Sequence, residues 1–495
     1  MSPPPSDRAA TGVPGLDNIL HGGLPRRRIY LLQGAPGSGK TTLGLQFLLE
    51  GLRNGEPGLY VTLSETEEEL REGAASHGWA LDGIAVHQLS SLEDLLEAEK
   101  QNTLFHPAEV ELHETISKVL ALVERIQPLR VVFDSLSEMR LLAGDSLRYR
   151  RQILALKQYF ANRNTTVVFL DDGTAEGSDL QLQSIAHGVL ALEKTVPGYG
   201  AIRRRLEVVK LRGVDFRTGK HDYTILKAGL HVFPRLVAAE HPSTFERGIL
   251  PSGVVDLDTL VGGGLVRGTS TLLLGPAGAG KSTIASQYVH AALSRGEPVT
   301  MFNFDENSGT FFARAEAMGL PLTRYAEEGT LSVRQVDPAE LSPGEFTHLV
   351  RQAVDKDKVR VVVIDSLNGY MMAMPDERHL VIQMHELLSY LSQQGVTTLM
   401  VVAQHGLVGN MQTPIDVTYI ADTVMLFRFF EAAGRVRKAV SVLKKRAGAH
   451  EDTIREFQIT SEGVRLGAPL TAFHGVLTGT PSFSGDAETL LEGKH

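Results

Sequence analysis

The amino-acid sequence predicts an α/β fold built from two tandem copies of one domain, each a mostly parallel, twisted sheet flanked by helices. Three observations predict it. A segment near the start recurs 241 positions later, short apolar runs alternate with helical patterns, and each copy has a glycine-rich loop between a strand and a helix. Short runs of β-branched residues that alternate with helices are typical of parallel strands buried on both faces.

The repeat organises the whole chain. Residues 11–42 and 252–283 align without gaps, and 15 of the 32 positions are identical. Later apolar runs recur in the same order, at 59–65 and 299–306, 130–136 and 360–367, 165–171 and 397–404, and 208–213 and 442–447. Helical patterns lie between them, for example over Thr41–Arg53, Leu147–Asn164 and Glu377–Gln394. Length alone favours about three domains, and the duplication replaces them with two.

The chain divides into four segments. We expect a disordered, proline-rich N-terminus at 1–10, a first domain at 11–240, a second domain at 248–481 and a flexible C-terminal tail at 482–495. The two domains join where a polar stretch within 238–248 interrupts the apolar pattern. Polar segments of this kind bury too little apolar surface to offset the entropy of ordering them.

The composition excludes several classes of protein. The 495 residues include no cysteine, which excludes disulfide frameworks, cysteine-ligated metal sites and thiol nucleophiles. A net charge of −9 argues against binding nucleic acid through bulk charge. No run of about 18 apolar residues is present, so we expect no membrane span. We expect a cytoplasmic protein for which neither a membrane nor nucleic acid is the partner.

Both glycine loops match the phosphate-loop pattern G-x-x-x-x-G-K-[ST]. In such a loop the backbone amides surround phosphate groups, and the following helix adds the positive end of its dipole. The lysine contacts the β- and γ-phosphates, and the Ser or Thr hydroxyl ligates Mg²⁺. No guanine-selecting tetrapeptide is present, which favours ATP as the nucleotide. The predicted ATP-binding residues are Gly34, Gly37, Ser38, Gly39, Lys40, Thr41 and Thr42, and Gly275, Gly278, Ala279, Gly280, Lys281, Ser282 and Thr283.

Acidic residues at the ends of strands supply the remaining parts of a nucleotide site. Asp134 and Asp365 end apolar strands and are predicted to hold Mg²⁺ together with Thr41 and Ser282; each could instead cap the next turn. Glu65 and Glu306 end the strand that follows the loop helix. From there a carboxylate can orient water against the γ-phosphate, although ordinary helix-start acids also occur there.

A basic strand closes each copy. Lys210 and Arg212, like Lys444 and Arg446, alternate along a strand and therefore lie on one face. One interpretation is a solvated strand face. The other is that these cations reach the nucleotide of a neighbouring subunit, as an arginine finger in trans does.

Taken together, these motifs resemble the KaiC family of RecA-like ATPases. The resemblance spans Thr11 to about Pro481, and strings such as Lys210-Leu-Arg-Gly213 and Ile454-Arg-Glu-Phe457 carry it. It implies two tandem RecA-like phosphate-loop NTPase domains and a homo-hexamer of two rings with ATP between neighbouring subunits. It also implies an ATPase in the first domain, trans-acting roles for the basic strand residues and, as in the clock members, KaiB-like or other signalling proteins as partners.

The sequence departs from the clock pattern at two places. Clock members carry paired glutamates at the catalytic position, whereas the pairs here are Ser64-Glu65 and Asp305-Glu306. The phosphorylated Ser and Thr of the clock members align with Thr418 and Tyr419. Thr418 is the candidate phosphorylation site, because a tyrosine hydroxyl lies several ångströms farther out; its other interpretation is a plain strand-edge residue.

Three functions follow from these features. The leading prediction is a Mg²⁺-dependent ATPase that acts as a signalling or clock-type switch, with Ser/Thr autokinase activity in the second domain. A DNA-dependent ATPase like the recombinases and helicases is the second, although these usually append a DNA-binding module and none is visible. The third is a scaffold that binds ATP to assemble and hardly hydrolyses it.

Overall fold

A computed structural model describes residues 7–89, 107–143, 145–173, 179–372, 379–404, 418–432, 434–477 and 482–483. The chain forms two compact units, Met1–Arg235 and Leu236–His495. Within the described ranges, no helix is both long and apolar enough to cross a membrane.

The first unit holds eleven of the described strands and seven of the described helices. Its strands are β1 (Arg8–Ala9), β2 (Leu24–Pro25), β3 (Ile29–Gly34), β4 (Gly58–Thr62), β5 (Ile84–Gln88), β6 (Arg130–Asp134), β7 (Thr166–Asp171), β8 (Gly188–Thr195), β9 (Arg203–Leu211), β10 (Lys220–Leu226) and β11 (Gly229–Phe233). Its helices are α1 (Leu16–Ile19), α2 (Lys40–Arg53), α3 (Glu67–Ser76), α4 (Pro107–Ile126), α5 (Leu136–Ala143), α6 (Ser146–Ala161) and α7 (Asp179–Ile185).

The second unit repeats most of this order. Its strands are β12 (Ile249–Leu250), β13 (Leu265–Val266), β14 (Ser270–Gly275), β15 (Val299–Asn303), β16 (Leu331–Gln335), β17 (Val361–Asp365), β18 (Thr397–Ala403), β19 (Thr423–Ala432), β20 (Arg435–Lys445), β21 (Ile454–Thr460), β22 (Gly463–Pro469), β23 (Phe473–His474) and β24 (Ser482–Phe483). Its helices are α8 (Val255–Leu260), α9 (Lys281–Leu293), α10 (Ser308–Ala317), α11 (Leu322–Glu327), α12 (Pro343–Asp355), α13 (Leu367–Met372) and α14 (Leu380–Gln393), with a 3₁₀ turn at Ala238–Glu240.

The two main sheets have nine strands each and one topology. Their orders are β11-β10-β9-β8-β3-β7-β6-β4-β5 and β22-β21-β20-β19-β14-β18-β17-β15-β16. The six strands from β8 to β5, and from β19 to β16, run parallel, and the other three of each sheet are antiparallel. This confirms the predicted fold class of two tandem, mostly parallel α/β domains.

Each sheet is buried on both faces, which is why its central strands are continuously apolar. In β3, Tyr30 and Leu32 belong to the core on one face, while Ile29 and Leu31 pack into the core on the other. The alternation follows from the two-residue period of a strand. The structure therefore places a helical layer on each side of the sheet and leaves the carboxyl ends of the parallel strands at one edge.

A buried arginine ties the start of the first unit to its core. Arg130, at the start of β6, has no exposed surface. Its Nε donates to Glu56 Oε2 at 2.5 Å, and its Nη1 donates to the carbonyl oxygens of Ala10 and Phe47 at 2.6 and 2.7 Å. Arg26 also pairs with Glu56. One carboxylate thus joins two arginines that come from distant parts of the chain.

A short strand lies within each of the two terminal segments that the sequence predicts to be disordered. Within 1–10, Arg8 and Ala9 pair with Leu24 and Pro25 as strand β1, because the buried Arg8 side chain donates to backbone carbonyls of the following turn. Within 482–495, Ser482 and Phe483 form β24, where the Phe483 ring packs against a core aromatic side chain. Residues 1–6 and 484–495 lie outside the described residues.

We expect the stability of the first unit to fall in mild acid because of His221. This side chain on β10 is fully buried; its Nδ1 accepts from the Arg235 amide at 2.9 Å, and its Nε2 lies 3.2 Å from the Arg217 carbonyl oxygen. Burial lowers the pKa of His221 from 6.5 to about 4. The unfolded chain therefore takes up the proton first, and stability is lost as the pH falls from 6.5 toward 4.

Urea titrations of the free energy of unfolding at pH 7 and pH 5 measure this effect. At pH 5 the linkage removes about 2 kcal/mol from the wild type. In His221→Gln this part of the pH dependence should disappear, whatever the variant's stability at pH 7. An unchanged difference between the two pH values would assign the acid sensitivity to other groups.

Candidate nucleotide-binding sites

The phosphate loops lie where β3 and β14 end and α2 and α9 begin. Gly39 precedes α2 with φ +98°, and Gly280 precedes α9 with φ +101°. A Cβ atom on Gly39 would approach Ile225 Cδ1 to 2.7 Å, and one on Gly280 would approach the Phe457 ring to 2.8 Å. Both the left-handed backbone and the close packing thus require glycine, as the motif predicts.

The two loop lysines differ in their partners. Lys40 Nζ donates to the Gly34 carbonyl oxygen at 2.7 Å and forms an ion pair with Asp172 at 2.8 Å. Lys281 Nζ donates to the Pro276 carbonyl oxygen at 2.6 Å, and burial lowers its pKa from 10.5 to about 8. The sheet registers place Ala403 where the first domain has Asp172. At the described position equivalent to Asp172, the second domain thus has no carboxylate to pair with its loop lysine.

The predicted magnesium ligands come together in the first domain. Thr41 Oγ1 donates to Asp134 Oδ2 at 3.2 Å, although β7 lies between the strands that lead to these two residues. The Tyr60 hydroxyl donates to the same carboxylate oxygen at 2.5 Å. Burial is the main cause that raises the pKa of Asp134, and both hydroxyls oppose it by lowering the pKa.

The second domain repeats this pair with one partner fewer. Ser282 and Asp365 line the same cavity, where burial again raises the pKa of the carboxyl and the Ser282 hydroxyl opposes this by lowering it. Met301 stands where the first domain has Tyr60. Among the described residues no group of three or more acidic or histidine side chains could hold a metal alone. One carboxylate and one hydroxyl fit Mg²⁺, which takes its other ligands from phosphates and water.

Glu65 lies just beyond β4, in a turn that the Thr62 hydroxyl holds. Thr62 Oγ1 accepts from the Glu65 amide at 3.0 Å and donates to its carbonyl oxygen at 2.7 Å. The side chain is partly buried, and burial, then Asp134 and Glu69, raise the pKa of its carboxyl. A carboxyl with a raised pKa is a stronger proton acceptor when ionised, so Glu65 suits the role of a base.

Glu306, the counterpart of Glu65, is held in an ion pair. Arg314 Nη2 and Nε donate to its two carboxylate oxygens at 2.7 and 3.1 Å. The neighbouring Asp305 accepts from Ser366 Oγ at 2.5 Å. A cavity of about 420 Å³ brings these side chains together with the phosphate loop. Its lining includes Gly278, Gly280, Lys281, Ser282, Thr283, Asp305, Glu306, Arg314 and Asp365.

The basic strand residues lie near the amino ends of the parallel strands of each sheet, whereas the phosphate loop lies at their carboxyl ends. Lys210 is paired with Val189, near the start of β8, whereas the loop follows Gly34 at the end of β3. Lys210 Nζ donates to the Gln183 carbonyl oxygen, and Arg212 Nη2 donates to that of Ser184 at 2.7 Å. The structure thus does not bring these cations to the phosphate loop of their own domain.

The same placement holds in the second domain, and it includes Thr418. Lys444 Nζ donates to the carbonyl oxygens of Thr418 and Ala421 at 2.9 and 2.7 Å. Arg446 Nη2 donates to the Tyr419 carbonyl oxygen at 2.7 Å. Thr418 is partly buried, and the Tyr419 side chain is 56% exposed. The candidate phosphorylation site therefore adjoins the basic pair.

Four residues of these sites are not among the predicted ones. Asp172, Tyr60, Arg314 and Ser366 each contact a predicted site residue, as given above. Comparison of the two copies offers a signal for three of them. The residues at the equivalent positions of the other copy are Ala403 for Asp172, Met301 for Tyr60 and Gly73 for Arg314. A charged or polar side chain that is present in one copy alone marks a place where the two sites differ.

Comparison with known proteins agrees with this geometry. The sequence model described as "ATPase: KaiC" matches residues 9–237 and again residues 250–470. The circadian clock protein KaiC3 of Synechocystis sp. is 27% identical over 492 residues, which cover 97% of this chain and 96% of that protein. The clock oscillator protein KaiC of Synechococcus elongatus is 26% identical over 95% of this chain and 91% of its own length. The chain belongs to the KaiC family of ATPases, with two tandem RecA-like domains.

Proposed function

We propose that the protein is a Mg²⁺-dependent ATPase that forms a double-ring hexamer and acts as a signalling switch of the clock type. One observation carries the hydrolytic activity. In the second domain a single cavity is lined by the phosphate loop, the buried Lys281, the Ser282–Asp365 pair and the acidic Glu306. These are the groups that phosphoryl transfer to water requires: a cationic phosphate cradle, a metal-binding pair and a carboxylate that can orient water.

The residues divide the reaction between them. The loop amides and the buried lysine hold the β- and γ-phosphates and oppose the negative charge that develops on them. Thr41 with Asp134, and Ser282 with Asp365, would hold Mg²⁺, which when bound neutralises phosphate charge. Glu65 in the first domain accepts a proton from water and directs the water oxygen at the γ-phosphorus. ATP and water then become ADP and inorganic phosphate.

Replacement of Glu65 by Gln tests this assignment. Gln keeps the shape but cannot accept the proton, so phosphate release by the first domain should fall by about 100-fold, the lower range for loss of a general base. The measurement uses the full chain with Lys281→Ala, so that only the first site turns over. Glu67→Gln is the matched control, because Glu67 in the next turn pairs with Arg71 at the surface. Equal turnover of the two variants would exclude Glu65 as the base.

The position of the basic pairs supports the ring. Lys210 and Arg212 lie at the edge opposite their own phosphate loop, so a neighbouring subunit is the nucleotide holder that they can serve. Sedimentation of the full chain with and without Mg·ATP tests assembly. Hexamers are expected with ATP, and Arg212→Ala should lower turnover without weakening ATP binding to the isolated chain. A monomer that hydrolyses ATP at the full rate would exclude sites shared between subunits.

The autokinase proposal rests on Thr418. Its carbonyl oxygen accepts from Lys444. If Lys444 reaches the neighbour's phosphates, as proposed above, Thr418 would lie beside the same nucleotide. Intact-mass measurement after incubation with Mg·ATP should show one added phosphate per chain. Thr418→Ala should remove it, whereas Lys281→Ala should prevent it by emptying the second site. An unchanged mass would leave an ATPase switch without kinase activity.

A further inference from the structure

The second nucleotide site contains an arginine–carboxylate clamp that the first site lacks. Arg314, on α10, binds both oxygens of Glu306 through Nη2 at 2.7 Å and Nε at 3.1 Å. Both side chains are about a quarter exposed, at 28% and 27%. Both also line the cavity that holds Lys281, Ser282 and Asp365, so the clamp lies within the site itself.

The equivalent position of the first domain is a glycine. Helices α3 and α10 occupy the same place in the repeat, start after the capping residues Thr66 and Asn307, and have the same length. With the offset of 241, Arg314 corresponds to Gly73. The charged groups that shift the pKa of Glu65 are carboxylates, Asp134 and Glu69, and both raise it. In the part of the chain that the structure describes, no ion pair joins Glu65 to a cation.

This difference bears on the chemistry of hydrolysis. A carboxylate that orients water must direct a lone pair at the water and gain a proton. A bidentate guanidinium fixes both oxygens in one plane and stabilises their negative charge. Before Glu306 can act as a base, its ion pair must open or rotate, whereas Glu65 meets no such barrier.

We propose that Arg314 is a positioning residue that restrains Glu306 and slows ATP hydrolysis at the second site relative to the first. The inference rests on the ATPase proposed above. The second site then retains ATP for longer, which is the state in which the nucleotide can serve assembly or phosphoryl transfer rather than hydrolysis.

Release of the clamp tests the proposal. In the full chain with Lys40→Ala, only the second site turns over, and Arg314→Gln should raise its kcat about tenfold, the lower range for a charge-assisted pair. KM should change less than kcat, because Arg314 binds Glu306 directly, whereas it acts on Asp365 only through its charge. In the Glu306→Gln background the same substitution should have no effect on kcat. Arg455→Gln is the matched control, since Arg455 forms a bidentate pair with Glu451 outside the cavity lining.

The reciprocal variant installs the clamp in the first domain. A Cβ atom on Gly73 meets no atom within 4 Å, so an arginine fits at this position. Glu69 lies one turn earlier and would attract the new side chain; the variant Gly73→Arg therefore also carries Glu69→Thr, the residue found at Thr310. With Lys281→Ala present, first-site kcat should fall about tenfold against the Glu69→Thr single variant.

Each outcome decides the matter. A lower or unchanged kcat in Arg314→Gln overturns the restraint, and so does an effect that persists without the Glu306 carboxylate. If Arg314→Gln does not fold, the first-domain pair of variants gives the answer alone, and an unchanged kcat there overturns the proposal. Absence of phosphate release by the unmodified chain, by contrast, contradicts the ATPase itself and is seen before any clamp variant is made.

Discussion

The double variant Lys40→Ala, Lys281→Ala is expected to lose nearly all ATP hydrolysis. Lys40 and Lys281 are both buried, at 8% and 6% residue exposure, and the ammonium group of each donates to a backbone carbonyl oxygen of its loop. Removal takes away the one cation that the loop itself places on the transferring phosphate, a contribution of roughly 100-fold or more to the rate. With both sites altered, phosphate release should fall by about 100-fold or more.

The single variants separate the two sites. Each should keep the turnover of the other domain, and Lys40→Ala should cause the larger loss if the second site is the restrained one. Lys220→Ala is the control, because Lys220 is an exposed lysine of the first domain that pairs with Glu193 at the surface. Phosphate release is measured by a coupled assay at saturating Mg·ATP. Activity that survives the double substitution would place hydrolysis outside the two phosphate loops.

Replacement of Arg130 by Val is expected to destabilise the first domain by about 3–5 kcal/mol, the range for breaking a buried ion pair. The loss leaves the carbonyl oxygens of Ala10 and Phe47 without their donor, and Glu56 with Arg26 alone. Urea unfolding, followed by a probe in the first domain, measures it. Arg360→Val is the control, because Arg360 is exposed at the start of the equivalent run.

The second domain shows how this loss can be reduced. Its sheet register places the buried Val361 where the first domain has Arg130. The repeat offset of 241 places Ala292 where the first domain has Gly51. A Cβ atom on Gly51 would lie 2.5 Å from Arg130 Cδ, so the small residue and the arginine depend on each other. Gly51→Ala alone should destabilise, while Gly51→Ala combined with Arg130→Val should recover part of the loss. Strict additivity of the two effects would contradict this coupling.

The sequence predicts the features that depend on local spacing. The loop glycines, Lys40 and Thr41 follow from one short motif, and the turn into a helix that it encodes is what the structure contains. Asp134 and Asp365 can be predicted equally well from the sequence, because an acidic residue that ends an apolar parallel strand lies at the carboxyl end of the sheet, where the phosphate loop also lies. Duplication strengthens each of these predictions, since both copies satisfy the same rule.

The contacts that distinguish the two copies could not be read from spacing. Tyr60 reaches Asp134 across neighbouring strands, and Asp172 reaches Lys40 from the end of β7; both depend on strand order, which no motif states. The burial of Arg130 likewise depends on Glu56, far away in the chain. The N-terminal strand was missed because two residues are too few for a periodic pattern, and the buried Arg8 looks like a surface residue.

The phosphate loop and the basic pair lie at opposite ends of the parallel strands of one sheet, and this separation affects the number of complete nucleotide sites in an assembly. If Lys210 and Arg212 complete the neighbour's site, every chain supplies a pair of cations to one neighbour and receives a pair from the other. In an open arc of chains, the basic pair of one terminal chain has no nucleotide to contact, and the nucleotide site of the other terminal chain receives no basic pair. A closed ring leaves neither group without its partner. Closure of the ring would thus complete the last nucleotide site and remove the last free end in one step. The rate of ATP hydrolysis per chain would then indicate whether the ring is closed.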